Sequence, residues 1–409
     1  MQVRSAEIAI IGAGPAGAHL ATRLSADGRD VVLFDPKGAW EKPCGGGVPT
    51  RALREFDFIL KSSGYPKKLI RRITMISPLN RQVSLTLEEP FAVYSRQVLN
   101  GLVLDRALAA GARFVREAVC DFSRDRDGWV ISTDAGNQYR TSFLVGADGA
   151  ASFTRRRLVG IFPKQDLALA FGYNIRDDES PSSGNGDAKR RGPAVDEVVV
   201  RFPRDFTGYL WAFPRPGVMN FGVASKLGER TSDELRALLT DFVCDCYGGS
   251  MPEPERVSFF GAKIPTLDMT SWRELQTIGD GWALIGDAAG FADPITGEGI
   301  YYAFKSADLL ADALSHARST NEPLAAYERA ASSYENMWRE AFGRDLEHAS
   351  YRLPHFYHGR FIGRIFTDAM VMLARHHRGV RTILGRALVG EQSYVTLKRD
   401  LLRRAWQVL

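Results

Sequence analysis

Gly12-Ala13-Gly14-Pro15-Ala16-Gly17 follows a short apolar run, Glu7 to Ile11, and opens a helical pattern that Gly28 closes just past Ala26. A second apolar run, Asp30 to Phe34, ends on Asp35, 18 residues beyond the last glycine. Each part has a physical task. Gly12 allows the tight turn, Gly14 lets the backbone reach a pyrophosphate, and Gly17 lets the helix pack on the strand. An acid at the end of the second strand meets the hydroxyls of an adenosine ribose. Strand, glycine turn, helix, strand and acid in this order predict a parallel βαβ unit that binds a dinucleotide, with Pro15 and Ala16 in the first helical turn.

Near residue 290 the chain carries a second stretch of the same kind, LIGDAAGFADPITGEGIYYAF from Leu284 to Phe304. A strand pattern, Trp282 to Ile285, stops at Gly286-Asp287, which puts the Asp287 carboxylate where open α/β sheets bind ligands. Such an acceptor suits sugar hydroxyls. Pro294, Gly297, Gly299 and Ile300 then lead into a helix. The two glycines let backbone approach a flat ligand, and the helix start points free N–H groups and its positive dipole end at the same spot. The N1–C2=O edge of a reduced flavin is an anion that fits there.

Together with Gly146-Ala147-Asp148-Gly149-Ala150-Ala151-Ser152, these two stretches resemble the flavin-contacting segments of the FAD-dependent hydroxylase and reductase superfamily. Lys42-Pro43-Cys44-Gly45-Gly46-Gly47-Val48-Pro49, Met75-Ile76-Ser77-Pro78, Tyr209-Leu210-Trp211-Ala212-Phe213-Pro214 and GDAAGFADPITGEGI are more narrowly similar to the geranylgeranyl reductase family. The similarity runs in order from about residue 6 to 345. Hydroxylases usually place His after Gly-Asp-Ala-Ala, whereas Gly290 stands here, which favours the reductase branch.

The resemblance implies roles. The loop with Cys44, Gly45 and Gly46 would fold over the flavin, making Cys44 either a proton donor or a small buried hydrophobe. Arg96, at the start of a helix running to about Ala110, would meet the FAD phosphates or remain a solvated surface residue. Val119 would give a backbone contact to adenine. Asp148 would contact the cofactor, or serve as an Asx turn or cap for the helix at Ser152, where Arg155 completes D-G-x-x-S-x-x-R. Tyr209 and Trp211 share one side of a strand, lining the family's lipid pocket or a plain sheet core. The family's Gly-x-Gly after Phe-Pro reads Gly222-Val223-Ala224 here, which puts that bend in doubt.

At 409 residues, 45% hydrophobic and 25% charged, the chain has a globular composition and fits two or three domains. Four cysteines in no ligand-like spacing give no disulfide framework, zinc site or iron–sulfur cluster, so a reducing cytoplasm is expected. The first strand begins too early to leave room for a signal peptide, and no apolar run approaches the ~18 residues of a membrane span. Residues 351–409 hold 11 Lys/Arg against 3 Asp/Glu, while the remainder holds 42 against 45. The basic pI therefore belongs to the tail. There Phe361/Ile362, Ile365/Phe366, Ala369 and Met372/Leu373 recur at helical spacing, with Arg360, Arg364, Asp368 and Arg375 on another face. Such a stripe either lies on anionic lipid as a peripheral contact or packs on the body or a dimer partner. Its apolar content argues against nucleic acid.

Short strand patterns are expected at Ile70–Ile76, Gln82–Leu87, Phe91–Tyr94, Arg113–Phe122, Trp129–Thr133 and Phe143–Val145, and again at Val195–Phe202, Gly208–Phe213, Met219–Ala224 and Val257–Ile264. Asp177–Pro193 reads as a mobile loop, and Thr231–Cys246 and Glu322–Phe342 as helices. The expected architecture is α/β: a Rossmann-like FAD-binding domain (1–70, 96–165, 266–318) interrupted by an antiparallel substrate sheet (71–95, 166–265), then a helical C-terminal region (319–409). A single GxGxxG leaves no second nucleotide domain. The external reductant, NADPH or a reduced ferredoxin as electron-donor protein, must then reach the same flavin. The expected activity is reduction of isolated C=C bonds in a prenylated lipid-like substrate. The alternatives are a flavin monooxygenase or halogenase, since YLWAFP approaches W-x-W-x-I-P without a G-W-x-x-x-G-G partner, and an electron-transfer flavoprotein, which four scattered cysteines do not favour.

Overall fold

The computed structural model describes residues 3–176, 196–315, 323–361 and 363–406. Ile8 to Ile11 and Val31 to Phe34 are buried along their length, the pattern of strands covered by helices on both faces. They form β1 (Arg4–Ile11) and β2 (Val31–Phe34), parallel neighbours joined by helix α1 (Pro15–Ala26). The chain then leaves through β3 (Gly47–Val48), α2 (Thr50–Glu55) and α3 (Phe58–Lys61) for β4 (Lys67–Ile76) and β5 (Gln82–Tyr94). It returns through α4 (Arg96–Ala109) to β6 (Arg113–Val115), followed by β7 (Val119–Asp125), β8 (Gly128–Thr133), β9 (Gln138–Gly146) and α5 (Phe153–Leu158). A second excursion comprises β10 (Leu167–Arg176), β11 (Glu197–Arg201), β12 (Gly208–Arg215), β13 (Val218–Lys226), α6 (Ser232–Cys246) and β14 (Val257–Pro265). Next come α7 (Met269–Arg273), β15 (Ile278–Gly279), β16 (Trp282–Leu284), α8 (Ile300–Ser315) and α9 (Pro323–Trp338). The tail consists of α10 (Arg344–His358), a hairpin of β17 (Arg360–Phe361) and β18 (Arg364–Ile365), then α11 (Phe366–His376), α12 (Arg378–Leu388) and α13 (Leu397–Trp406).

Two large sheets result. The first has the order β15-β16-β9-β1-β2-β6, parallel except at β15, with β7 and β8 folded back on β9 as a meander. The second has the order β14-β10-β13-β12-β11-β4-β5-β3. It is antiparallel, as expected, apart from β11, which runs parallel to β4. Gly47–Val48 and the start of β4 also belong to this sheet.

Other expectations are corrected by the pairing. Gln82–Leu87 and Phe91–Tyr94 are one 13-residue strand, because Pro90 at the sheet's irregular point costs no ladder bond that the shifted register needs. Arg113–Phe122 splits between the parallel sheet and the meander. The doubt over a bend at Gly222-Val223-Ala224 is met by a continuous strand: β13 pairs in register with both β12 and β10 along its length. The tail stripe is not one helix from Arg360. Gly363, at φ +71, turns the chain into a hairpin, and the helix begins only at Phe366. Its buried residues, among them Ala369, Met370 and Val371, pack with Leu85, Leu87 and Val93 of β5. Asp368, fully buried, accepts from Ser77 Oγ at 2.7 Å and from the Arg81 guanidinium. The Asp177–Pro193 segment lies outside the described residues.

Candidate active site

The strand ends of the first sheet converge on the glycine turn. A Cβ on Gly12 would lie 2.5 Å from the Ala147 carbonyl oxygen, and one on Gly17 would lie 1.9 Å from that of Gly12. Both positions are closed by packing. A Cβ on Gly14 would meet nothing within 4 Å and would project into the cleft, as expected of the residue over which a pyrophosphate passes. Gly14 also begins α1 without a side-chain cap, so the first-turn N–H groups face the same space. Asp35 ties the turn together, with Oδ2 accepting from Ala13 N at 2.9 Å and Oδ1 from Lys37 N and Gly38 N. Arg96 is buried at the start of α4, and its Nε has no hydrogen-bond partner among the described residues. A buried guanidinium with one free N–H, its Nη2 donating to Asn100 Oδ1 at 3.3 Å, beside a cradle that a side chain would fill fits a bound dinucleotide phosphate.

Across the cleft, Asp287 accepts from Lys42 Nζ at 3.1 Å, and its Oδ1 lies 3.0 Å from where a Gly299 Cβ would stand. A side chain at Gly299 would press on that carboxylate, which would have to give by a few tenths of an ångström. Glu298 lies between the two motif glycines and caps α8 by accepting from Tyr301 N at 2.8 Å. Burial pushes its carboxyl up to about 8, with Asp293 adding to the effect, so near neutrality this acid carries a proton.

The Cys44 loop lies flat against aromatics. A Cβ on Gly47 would meet the Phe91 ring at 2.5 Å, and one on Gly45 would come within 3.0 Å of Phe213 and 3.3 Å of Trp211 Nε1. Sγ of Cys44 accepts from Gly46 N at 3.3 Å. Burial alone would push the thiol up. The Arg96 guanidinium, the Gly46 N–H and the Arg215 guanidinium outweigh it, and the thiol is held below its ordinary value.

Beyond Cys44 the cleft continues as an apolar arm of the same cavity, about 600 Å³ in all. Tyr209 and Trp211 stand side by side on β12, ring centroids 5.8 Å apart. Trp211 Nε1 donates to Asn220 Oδ1 at 2.8 Å, and Tyr209 donates to the Thr296 carbonyl. Facing them are side chains of the tail, including Phe356, Met370, Leu384 and Leu397.

The cavity thus brings together Gly12, Gly14, Pro15, Ala16, Asp35, Cys44, Gly45, Gly46, Arg96, Val119, Asp148, Tyr209, Trp211, Asp287, Gly297, Gly299 and Ile300. Gly17 and Pro294 do not line it: the first is packed inside α1, and the second faces a small void with Leu353 and Tyr357. Asp148 spends both carboxylate oxygens locally, on Ser152 Oγ and on Thr154 N and Oγ1. Arg155 stacks on Phe162, 3.9 Å from its ring centre. Sequence reading gave no role to Glu41, Lys42, Arg215, Glu298 or the lining from α10 to α13. Glu41 and Lys42 adjoin the Cys44 loop, Arg215 follows Phe213-Pro214, and Glu298 was read only for its flanking glycines.

A family model described as an FAD binding domain matches residues 5–175. A geranylgeranyl diphosphate reductase of Rhodobacter capsulatus is 29% identical over 313 residues, covering 74% of this chain and 73% of that one. Among solved structures, a geranylgeranyl bacteriochlorophyll reductase-like protein of Thermoplasma acidophilum superposes with a TM-score of 0.76 at 20% identity, covering 98% of this chain and all of that one. The flavin-dependent brominase Bmp2 reaches 0.71 at 16% identity, covering 98% and 100%. At those identities the structural likenesses speak for the fold.

Proposed function

We propose that this chain, which is similar to geranylgeranyl diphosphate reductases and carries a match to an FAD binding domain, hydrogenates isolated C=C bonds of a prenyl chain held in the apolar arm of its cavity. One observation carries this reading: a single cavity runs from the glycine cradle, past Cys44, into the aromatic and tail-lined arm. Gly12, Gly14, Asp35, Arg96 and the start of α8 would hold FAD, which when bound and reduced supplies a hydride.

Isolated alkenes are poor hydride acceptors, so a proton must reach the second alkene carbon. Cys44 is the donor we assign. It lines the passage between cradle and arm, and its thiolate form has two guanidiniums to stabilise it. Tyr209, whose hydroxyl burial keeps protonated, and Trp211 orient the chain and exclude water. Electrons come from outside, from NADPH or a reduced ferredoxin, since the chain has one glycine fingerprint only. We assign a peripheral lipid contact to the exposed Arg375, Arg378 and Arg381 on α11 and α12, the helices that close the arm.

The test is anaerobic incubation of the chemically reduced protein with a panel of prenyl lipids, read by mass in steps of two hydrogens. Cys44→Ser should retain FAD and lose most of the reduction, because a serine hydroxyl is a far weaker acid. No mass gain with wild type, or turnover only when oxygen is admitted, would sink the reading in favour of a monooxygenase. Full activity in Cys44→Ser would leave the thiol as loop packing.

A further inference from the structure

Cys44 is gripped through its main chain, and what grips it is a cation. Arg215, at the C-terminal end of β12, is 4% exposed. Its guanidinium donates to the Cys44 carbonyl, to the Gly45 carbonyl at 3.3 Å and to Glu41 Oε1 at 2.8 Å. Gly46 makes room for it, since a Cβ there would lie 3.1 Å from Arg215 Nε and 2.0 Å from the Tyr94 carbonyl oxygen. Glu41 in turn fixes the second cation. Besides Arg215 it accepts from Ser95 Oγ and from the backbone N–H groups of Arg96 and Gln97, both at 3.1 Å, at the start of α4.

The local charge count is uneven. Two guanidiniums, Arg96 and Arg215, face one carboxylate, Glu41, in a largely buried setting. The other groups around the thiol leave this unchanged. Lys42 is paired with Asp287, Tyr209 is a neutral hydroxyl, and Glu298 is held towards its protonated form. An anion at Cys44 Sγ would balance the protein's own charges, and where an FAD phosphate also draws on Arg96, Arg215 is the cation left to the thiol.

We propose that Arg215 is the positioning residue for proton transfer at Cys44: its fork fixes the loop that aims Sγ, and its charge, with that of Arg96, stabilises the thiolate left behind. The proposal rests on the reading of Cys44 as proton donor and deepens it. In the step, the alkene π pair forms a new C–H bond with the Sγ proton while hydride closes the other carbon. The sulfur keeps the S–H electron pair until water reprotonates it.

Iodoacetamide labelling of Cys44 in the FAD-bound protein, followed against pH by peptide mass spectrometry to separate Cys120, Cys244 and Cys246, tests this without any prenyl substrate. Arg215→Met should move the labelling midpoint up by about one pH unit or more, as loss of a neighbouring opposite charge does. Labelling at pH 7 should then slow about tenfold. Glu41→Gln removes the competing anion and should move the midpoint down. An unmoved midpoint in Arg215→Met, including a rate altered equally at every pH, overturns the proposal, because a merely structural role predicts that result. If Arg215→Met yields no flavin-bound protein, Glu41→Gln decides: a downward shift supports the clamp, and an unchanged or upward midpoint overturns it. Because the assay contains no alkene, failure of the prenyl reading and failure of the clamp appear in different experiments.

Discussion

Gly222→Ala is the most demanding single-atom test of the apolar arm. Gly222 lies under the Trp211 indole, and a Cβ there would stand 2.0 Å from Cζ2 and 2.4 Å from both Cε2 and Cη2. Ordinary carbon contacts are about 3.5–4.0 Å, so the indole must retreat by roughly 1.5 Å. That movement breaks the 2.8 Å hydrogen bond from Trp211 Nε1 to Asn220 in the sheet interior. Overpacking costs about 1–3 kcal/mol, and leaving a buried polar group unpaired costs about 1–3 more, giving roughly 2–6 kcal/mol. The flavin end is untouched, so FAD content should equal that of wild type. The melting temperature should fall, and KM for a prenyl substrate should rise as the indole moves into the arm. Trp211→Phe in the same background removes the colliding ring atoms and should recover part of the melting temperature, a coupling that single variants do not show. If Gly222→Ala melts with wild type, or if Trp211→Phe adds its own loss instead of relieving the first, the close packing of indole on glycine is wrong.

Three further outcomes are expected. Gly14→Val should abolish FAD retention, read by the 450 nm absorbance of the purified protein, because its side chain would occupy the open cleft above the turn. Glu298→Gln should flatten the pH dependence of stability. Between the usual carboxylate range and about pH 8 the folded protein keeps a proton that the unfolded chain has released, so wild type loses stability as pH rises through that window and the amide does not. Equal slopes in thermal melts of the two proteins from about pH 5 to 8.5 would count against the raised carboxyl. Asp368→Ala should leave Ser77 and Arg81 without their buried acceptor, at a cost of about 3 kcal/mol, and expose the tail first to limited proteolysis.

What could be read in the sequence was what short range dictates. The glycine turn, Asp35 and the Asp287-to-Ile300 segment each follow from backbone needs within a few residues, and the structure brings nearly all of them to one cleft. Cys44 was legible through the glycines behind it. Its partner Arg215 was not, because the contact with Glu41 spans 174 residues and a lone arginine after Phe-Pro carries no pattern. The tail misled for another reason: apolar spacing reports a face and says nothing of breaks. Gly359 and Gly363 interrupt the helical period, and Asp368, read as part of a polar outer face, turns inward to Arg81. Glu298 was hidden by its neighbours, since a motif read for its glycines draws no attention to the acid between them.

The cavity's two ends are built by different parts of the chain, and the apolar end is closed by tail helices packed on the second sheet through a shared buried cluster and the Asp368 contact. Inheritance can therefore act on them separately. Substitutions on α12 and α13 can lengthen, shorten or reshape the space for a hydrocarbon while the glycine cradle and the Cys44 loop stay as they are. A library meant to change which chain is accepted should be drawn from Ile383, Leu384, Leu388, Leu397 and Leu401. One meant to change the chemistry should be drawn from the loop at Glu41 to Gly46 and its clasp at Arg215.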